Sequence, residues 1–174
     1  MKRLALLIVL MTVAVTGARY ALTAPPILHT AVNAQPVIKI AEPKSPEVSE
    51  VIASTNAYRS SKGLTNLTEN AQLDQSACLK AQDMVTKNYW AHVSPDGIEP
   101  WHWFEQVRYA YKAAGENLAY GFNSGDDVVN AWIHSPSHEA NLVGNYTEVG
   151  ICAKHEIFQG SMTNLTVVHY GLPQ

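Results

Sequence analysis

The chain has 174 residues, 47% of them hydrophobic and 16% charged, with a net charge of −3 from 12 basic and 15 acidic side chains. That length suits one ordinary domain plus a tail, and the composition excludes wholesale disorder. The charges are spread along the chain without the basic stripe a nucleic-acid binder needs, which excludes that class.

The first segment, MKRLALLIVLMTVAVTGARYALTA, sets Lys2 and Arg3 before an apolar run from Leu4 to Val15 and then turns to small residues. This is the layout of a secretory signal. The run is shorter than the ~20 residues that span a bilayer. Residues 1–24 therefore read as a signal peptide or, if uncleaved, an N-terminal anchor. Cleavage after Ala18 or Ala24 fits, although Pro25 disfavours the second site. Residues 25–46 repeat proline without a sustained period and read as a linker, and residues 47–174 form the domain. The protein is expected to be secreted or extracytoplasmic, touching a membrane only through the leader.

The domain opens with Ser45 as a cap, Pro46 at the first helical position and Glu47 complementing the dipole. Val48, Val51, Ile52, Thr55 and Tyr58 mark one helical face, and Gly63 can end the helix. A second helix is predicted from about Glu69 to Asn88, with Leu73, Ala77, Ala81, Met84 and Val85 on its apolar face. SPDG at 94–97 is a turn by composition. Pro100 to Val107 can form a short aromatic-rich helix, and Asp126 and Asp127 start another that runs through Trp132. The last third changes period: TEVGICAKH and TNLTVVHYG each fit a strand, with FQGS near the turn between them. Helices first and strands last give an α+β fold, helices covering a small antiparallel sheet.

Cys78 and Cys152 lie 74 positions apart. In an exported chain one disulfide is the simplest use of such a pair; two buried thiols are the alternative. Sequons occur at Asn66, Asn145 and Asn164 and matter only in a host that glycosylates secreted proteins.

Three segments stand out together: YWAHVSPDGIEPW (89–101), AAGENLAYGF (113–122) and AWIHSPSHEANL (131–142) followed by TEVGI. Their order and wording resemble the CAP superfamily of cysteine-rich secretory, antigen 5 and pathogenesis-related proteins, in its bacterial form, over roughly Val48 to Gly171. The resemblance implies an α–β–α sandwich whose cleft is lined by two histidines and two glutamates. By motif, His92, Glu116 and His138 take three of those places. The second glutamate falls near His134 and Ser135, where this chain has no acid.

His134 and His138 imitate a helical metal pair by their spacing, but Pro136 lies between them. Pro136 suits the first turn of a new helix, which leaves His134 at the end of the preceding one. His138 is then the functional candidate and His134 a surface residue. Glu139 should face away from whatever His138 faces, since helical neighbours point ~100° apart.

His92 and His138 suit zinc or copper, with Glu116 as third ligand or as the acceptor that fixes one tautomer; hydrogen bonding without metal is the alternative. The family resemblance implies zinc as the candidate cofactor. Two functions stay open. The first, implied by the resemblance, is a binding module for a lipid, cell-envelope or protein ligand, with Trp90, Trp101, Trp103, Phe104, Tyr109, Tyr111, Tyr120 and Phe122 divided between core and groove. The second is a metal-dependent extracellular hydrolase with catalytic candidates His92, Glu116 and His138. Ser94 reads as a turn cap rather than a nucleophile, and Asp96 alone is too little for a calcium site. Asn117 and Asn141 read as hydrogen-bonding groups, and His102, His155 and His169 as structural.

Overall fold

The computed structural model describes residues 48–174. The leader and linker expected over residues 1–46, and the cap residues Ser45, Pro46 and Glu47, lie outside them.

Helix α1 spans Val48–Ser61 and buries Val51 and Thr55, with Val48, Ile52 and Tyr58 packed half-buried beside them. A two-residue strand β1, Thr68–Glu69, leads into helix α2, Ala71–Lys87. The second helix starts slightly later than its apolar period suggested because Asn70 caps it, accepting from the amides of Gln72 and Leu73. Helix α3, Trp101–Gln106, precedes strand β2, Tyr111–Tyr120. Helix α4, Gly125–Ile133, is capped by Ser124, and α5, Pro136–Leu142, begins with the proline at its first turn as its chemistry requires. Strands β3, Glu148–Phe158, and β4, Ser161–Pro173, form the closing hairpin. Its turn places Gln159 at φ 52° and Gly160 at φ 84°, the left-handed pair that suits a twisted two-residue hairpin.

The sheet order is β1-β3-β4-β2. Both β3–β4 and β4–β2 are antiparallel, but β1 runs parallel to β3 through Thr68↔Glu148 and Glu69↔Val149. The sheet is therefore mixed rather than purely antiparallel. Helices cover both faces. On one, Ala77, Ala81 and Met84 of α2 meet Cys152, Leu165 and Val167, while Leu73 packs with Phe104 and Tyr109. On the other, Val51, Val128, Trp132 and Leu142 meet Ile151, Val168 and Tyr170. This α+β arrangement is a three-layer sandwich. A disulfide joins Cys78 on α2 to Cys152 on β3 with the Cα atoms 4.9 Å apart.

Strand β2 lies at one end of the sheet order, and its outer edge is closed by side chains rather than by another strand. The carbonyls of Ala114, Glu116 and Leu118 accept from Tyr146 Oη at 3.3 Å, Asn141 Nδ2 at 2.9 Å and Trp132 Nε1 at 3.1 Å. These bonds dock α4, α5 and the segment after them onto the edge and satisfy groups that would otherwise invite pairing. Gly115 is required by the same closeness: a Cβ there would meet Tyr146 Oη at 2.6 Å and Asn141 Oδ1 at 2.7 Å. Arg59, fully buried, secures the other side of this segment by donating to the carbonyls of Leu142, Gly144 and Tyr146.

Candidate functional site

Glu116 lies on β2 directly opposite His169 on β4. Residues paired across antiparallel strands point to the same face, so the carboxylate and imidazole meet. Oε2 is 3.0 Å from His169 Nε2, and Oε1 is 2.6 Å from His92 Nδ1. His169 is completely buried, stacks on Phe104 at 4.5 Å between ring centres, and turns its Nδ1 to Ser76 Oγ at 2.8 Å.

The proton positions follow from the partners. Burial alone would raise the Glu116 carboxyl, but hydrogen bonds from His169 and His92, and the nearby Lys80 charge, bring it below its ordinary value. Burial pushes the His169 imidazole down, more than Glu116 pulls it up. A neutral His169 facing a carboxylate at Nε2 must carry its hydrogen there, and Ser76 then donates to Nδ1. His92 in turn donates from Nδ1 to Glu116, and its Nε2 has no hydrogen-bond partner among the described residues. The His92 side chain is 53% exposed, so that nitrogen is open to a ligand.

Lys80 holds the loop that carries His92. Its ammonium is buried and donates to Tyr89 Oη at 2.9 Å, Ala91 O at 3.0 Å and His92 O at 2.6 Å. Burial lowers its pKa, against the attraction of Glu116 and Asp83.

His138 projects from α5. Its Nδ1 lies 2.8 Å from Ser135 Oγ, so the serine in the stretch that lacks the second acid supplies the polar partner there. Burial and the neighbouring His92 lower its pKa. Asn117 fixes the helix by donating to the His138 carbonyl, and Asn141 donates to Asn117 Oδ1. His92 and His138 line one cavity of about 320 Å³ together with Trp90 and Leu118. A second cavity of about 260 Å³ shares Trp90, Leu118 and His138 and is walled mainly by Tyr120, Phe122 and Trp132.

The structure thus bonds Glu116 directly to His92 and sets His138 in the same cavity as His92. Among the described residues no three His, Cys, Asp or Glu side chains are gathered as a metal cluster. Each Nδ1 has a polar partner that sets its ring, and neither Nε2 has a hydrogen-bond partner among the described residues, so His92 and His138 are the side chains that could hold a cation. Glu116, with both oxygens engaged by imidazoles, fits as the acceptor that orients His92.

Other residues are placed elsewhere. His134 caps α4 on the surface, its Nδ1 2.7 Å from the Asn130 carbonyl. Glu139 faces α1, accepting from Tyr58 Oη at 2.6 Å. Ser94 caps its turn, accepting from the amides of Asp96 and Ile98, while Asp96 pairs with Lys87 at 2.6 Å. His102 contacts Gln106, and His155 contacts Asn164. Asn164 donates to the Phe122 carbonyl and is buried, whereas Asn66 and Asn145 are exposed. Sequence reasoning missed the part His169, Ser76 and Lys80 play in the site. The lysine within the apolar face of α2 was the only visible signal.

The family pattern described as the cysteine-rich secretory protein family, CAP, matches residues 52–170, and the chain belongs to that family. It is 39% identical over 103 residues to "Uncharacterized protein YkwD" of Bacillus subtilis, covering 59% of this chain and 40% of that one. It is 30% identical over 103 residues to "Uncharacterized membrane protein YlbC" of the same organism, covering 59% of this chain and 30% of that one. The chain thus spans less than half the length of either relative. Among solved structures, an extracellular protein containing an SCP domain from Bacillus anthracis aligns with a TM-score of 0.61 at 22% identity, covering 71% of this chain and 39% of that one. An outer surface protein of Borrelia burgdorferi aligns with a TM-score of 0.64 at 20% identity, covering 76% of this chain and 100% of that one. At these identities the likeness shows the fold.

Proposed function

We propose that this CAP protein is an exported binding module whose ligand cleft is centred on His92 and His138. The observation that carries the reading is the joining of two environments. The cavity shared by the two imidazoles adjoins one walled by aromatic side chains, with Trp90, Leu118 and His138 common to both. A site of that kind takes a ligand with a polar or metal-bound end and an apolar body. Lipid, cell-envelope and protein ligands all meet the description. A divalent cation such as Zn²⁺ would be held by His92 and His138 and would supply a Lewis acid; Glu116 keeps His92 in the ligating tautomer.

Export is supported by the layout of residues 1–24, and two proteins of the same fold are an extracellular protein of Bacillus anthracis and an outer surface protein of Borrelia burgdorferi. No helix among the described residues is long and apolar enough to cross a membrane.

A hydrolase is the second reading, favoured by one observation. His92 is paired to a buried carboxylate at 2.6 Å, the arrangement that equips an imidazole to accept a proton at Nε2. Casein and peptidoglycan turnover, assayed with and without zinc beside lipid and wall-fragment binding, separates the two. The binding-module reading expects binding without turnover. Turnover that vanishes in both His92→Ala and Glu116→Ala replaces it with the hydrolase.

A further inference from the structure

Four cavities follow β2 from one end to the other. The first, against Trp101, Tyr111 and Lys112, shares Trp101 and Ala114 with the second, which contains Glu99, Glu116 and His92. His92 carries the line into the cavity of His138, and Trp90 and Leu118 carry it on to the aromatic one. Tyr111 to Tyr120 is a strand of about 30 Å at ~3.3 Å per residue, so the groove is of polymer length. Three aromatic side chains are exposed among the described residues, Trp90 at 41%, Trp101 at 38% and Tyr120 at 43%, and all three line this groove. Scattered exposed aromatics need no explanation; their confinement to one groove does.

We infer that the groove binds an extended, uncharged oligosaccharide chain, with Trp101 and the Trp90–Tyr120 pair flanking a hydrogen-bonding centre at Glu99, His92 and His138. This rests on the cleft being a ligand site and names the class of ligand. A pyranose ring offers an apolar C–H face that lies against an aromatic side chain, and hydroxyls along its rim that bond carboxylates and imidazoles. Other classes fit less well. An extended peptide binds such a strand by pairing with its edge, but the Ala114, Glu116 and Leu118 carbonyls already accept from Tyr146, Asn141 and Trp132. An acyl chain requires continuous apolar enclosure, and here the polar side chains of His92 and Glu116 interrupt it. Polyanions meet two carboxylates against the single Lys112.

The test titrates N-acetylglucosamine oligomers, from disaccharide to hexasaccharide, into the disulfide-intact chain, followed by amide NMR shifts. Affinity should rise with oligomer length and the shifts should map along β2. Trp101→Ala should weaken the longest oligomer at least tenfold. Tyr120→Ala provides an independent variant at the other end. Ile157→Ala, exposed on the hairpin and not among the groove's lining residues, should bind like wild type. Affinity independent of length, or unchanged in both folded aromatic variants, overturns the proposal. So does failure of every oligomer to bind at millimolar concentration; if zinc or a lipid still binds, the cleft keeps its place as a binding site and only the glycan is lost.

Discussion

His169 closes the back of Glu116. Its Nε2 lies 3.0 Å from Oε2 in a position without solvent, so the acid that orients His92 is itself oriented from behind. Replacing His169 by Phe leaves a buried carboxylate short of a donor and should cost about 3 kcal/mol in urea unfolding. His169→Gln, which can still donate, should recover much of that loss. Equal stability of the two variants would show that the hydrogen bond contributes nothing.

Acid should weaken the fold in two stages. The folded His169 resists protonation while the unfolded one accepts it near its ordinary value of 6.5, so stability is lost as pH falls below that point. Glu116 is held below its ordinary value of 4.5, so its contribution is complete above 4.5 and is lost as pH falls through the lower folded value. Urea midpoints followed from pH 7 down to about pH 2 check this. His169→Gln should flatten the first stage and Glu116→Gln the second. A midpoint that climbs on acidification is incompatible with both assignments.

Lys80 should control the loop that carries His92. Lys80→Met removes the donors of the Ala91 and His92 carbonyls and should cost about 2 kcal/mol. Amide hydrogen exchange of residues 90–93 should quicken more than that of the sheet. Unchanged exchange there would show that the loop holds itself.

The disulfide closes a separation of 74 residues, for which chain entropy predicts about 4 kcal/mol. Cys78 is an exposed residue and Cys152 a buried one. The paired Cys78→Ala and Cys152→Ala variant should unfold at clearly lower urea concentration, while keeping Glu116 and His92 in contact by NMR.

Much of this architecture was legible from local chemistry. The apolar face of α2, Pro136 at the start of α5, His134 at the end of α4 and the closing hairpin all follow from periodicity and capping. The motifs that carry the family resemblance marked His92, Glu116 and His138. Strand β2 was not legible, because YKAAGENLAY has neither β-branched residues nor a clean alternation. Its Gly115 to Ala119 stretch is buried throughout, so no polar face alternates with an apolar one. Strand β1 is only two residues long and leaves no pattern. His169 was read as structural, which its burial supports, but its position opposite Glu116 depends on strand register. No local signal encodes that register.

His92 and His138 offer their Nε2 atoms to one ligand space. Histidine-ring NMR during a zinc titration tests it most directly, with His92→Ala, His138→Ala and His134→Ala in parallel. Zinc should perturb His92 and His138 together, either alanine at those positions should abolish the response, and His134→Ala should preserve it. Zinc bound with equal affinity by the wild type, His92→Ala and His138→Ala would contradict it.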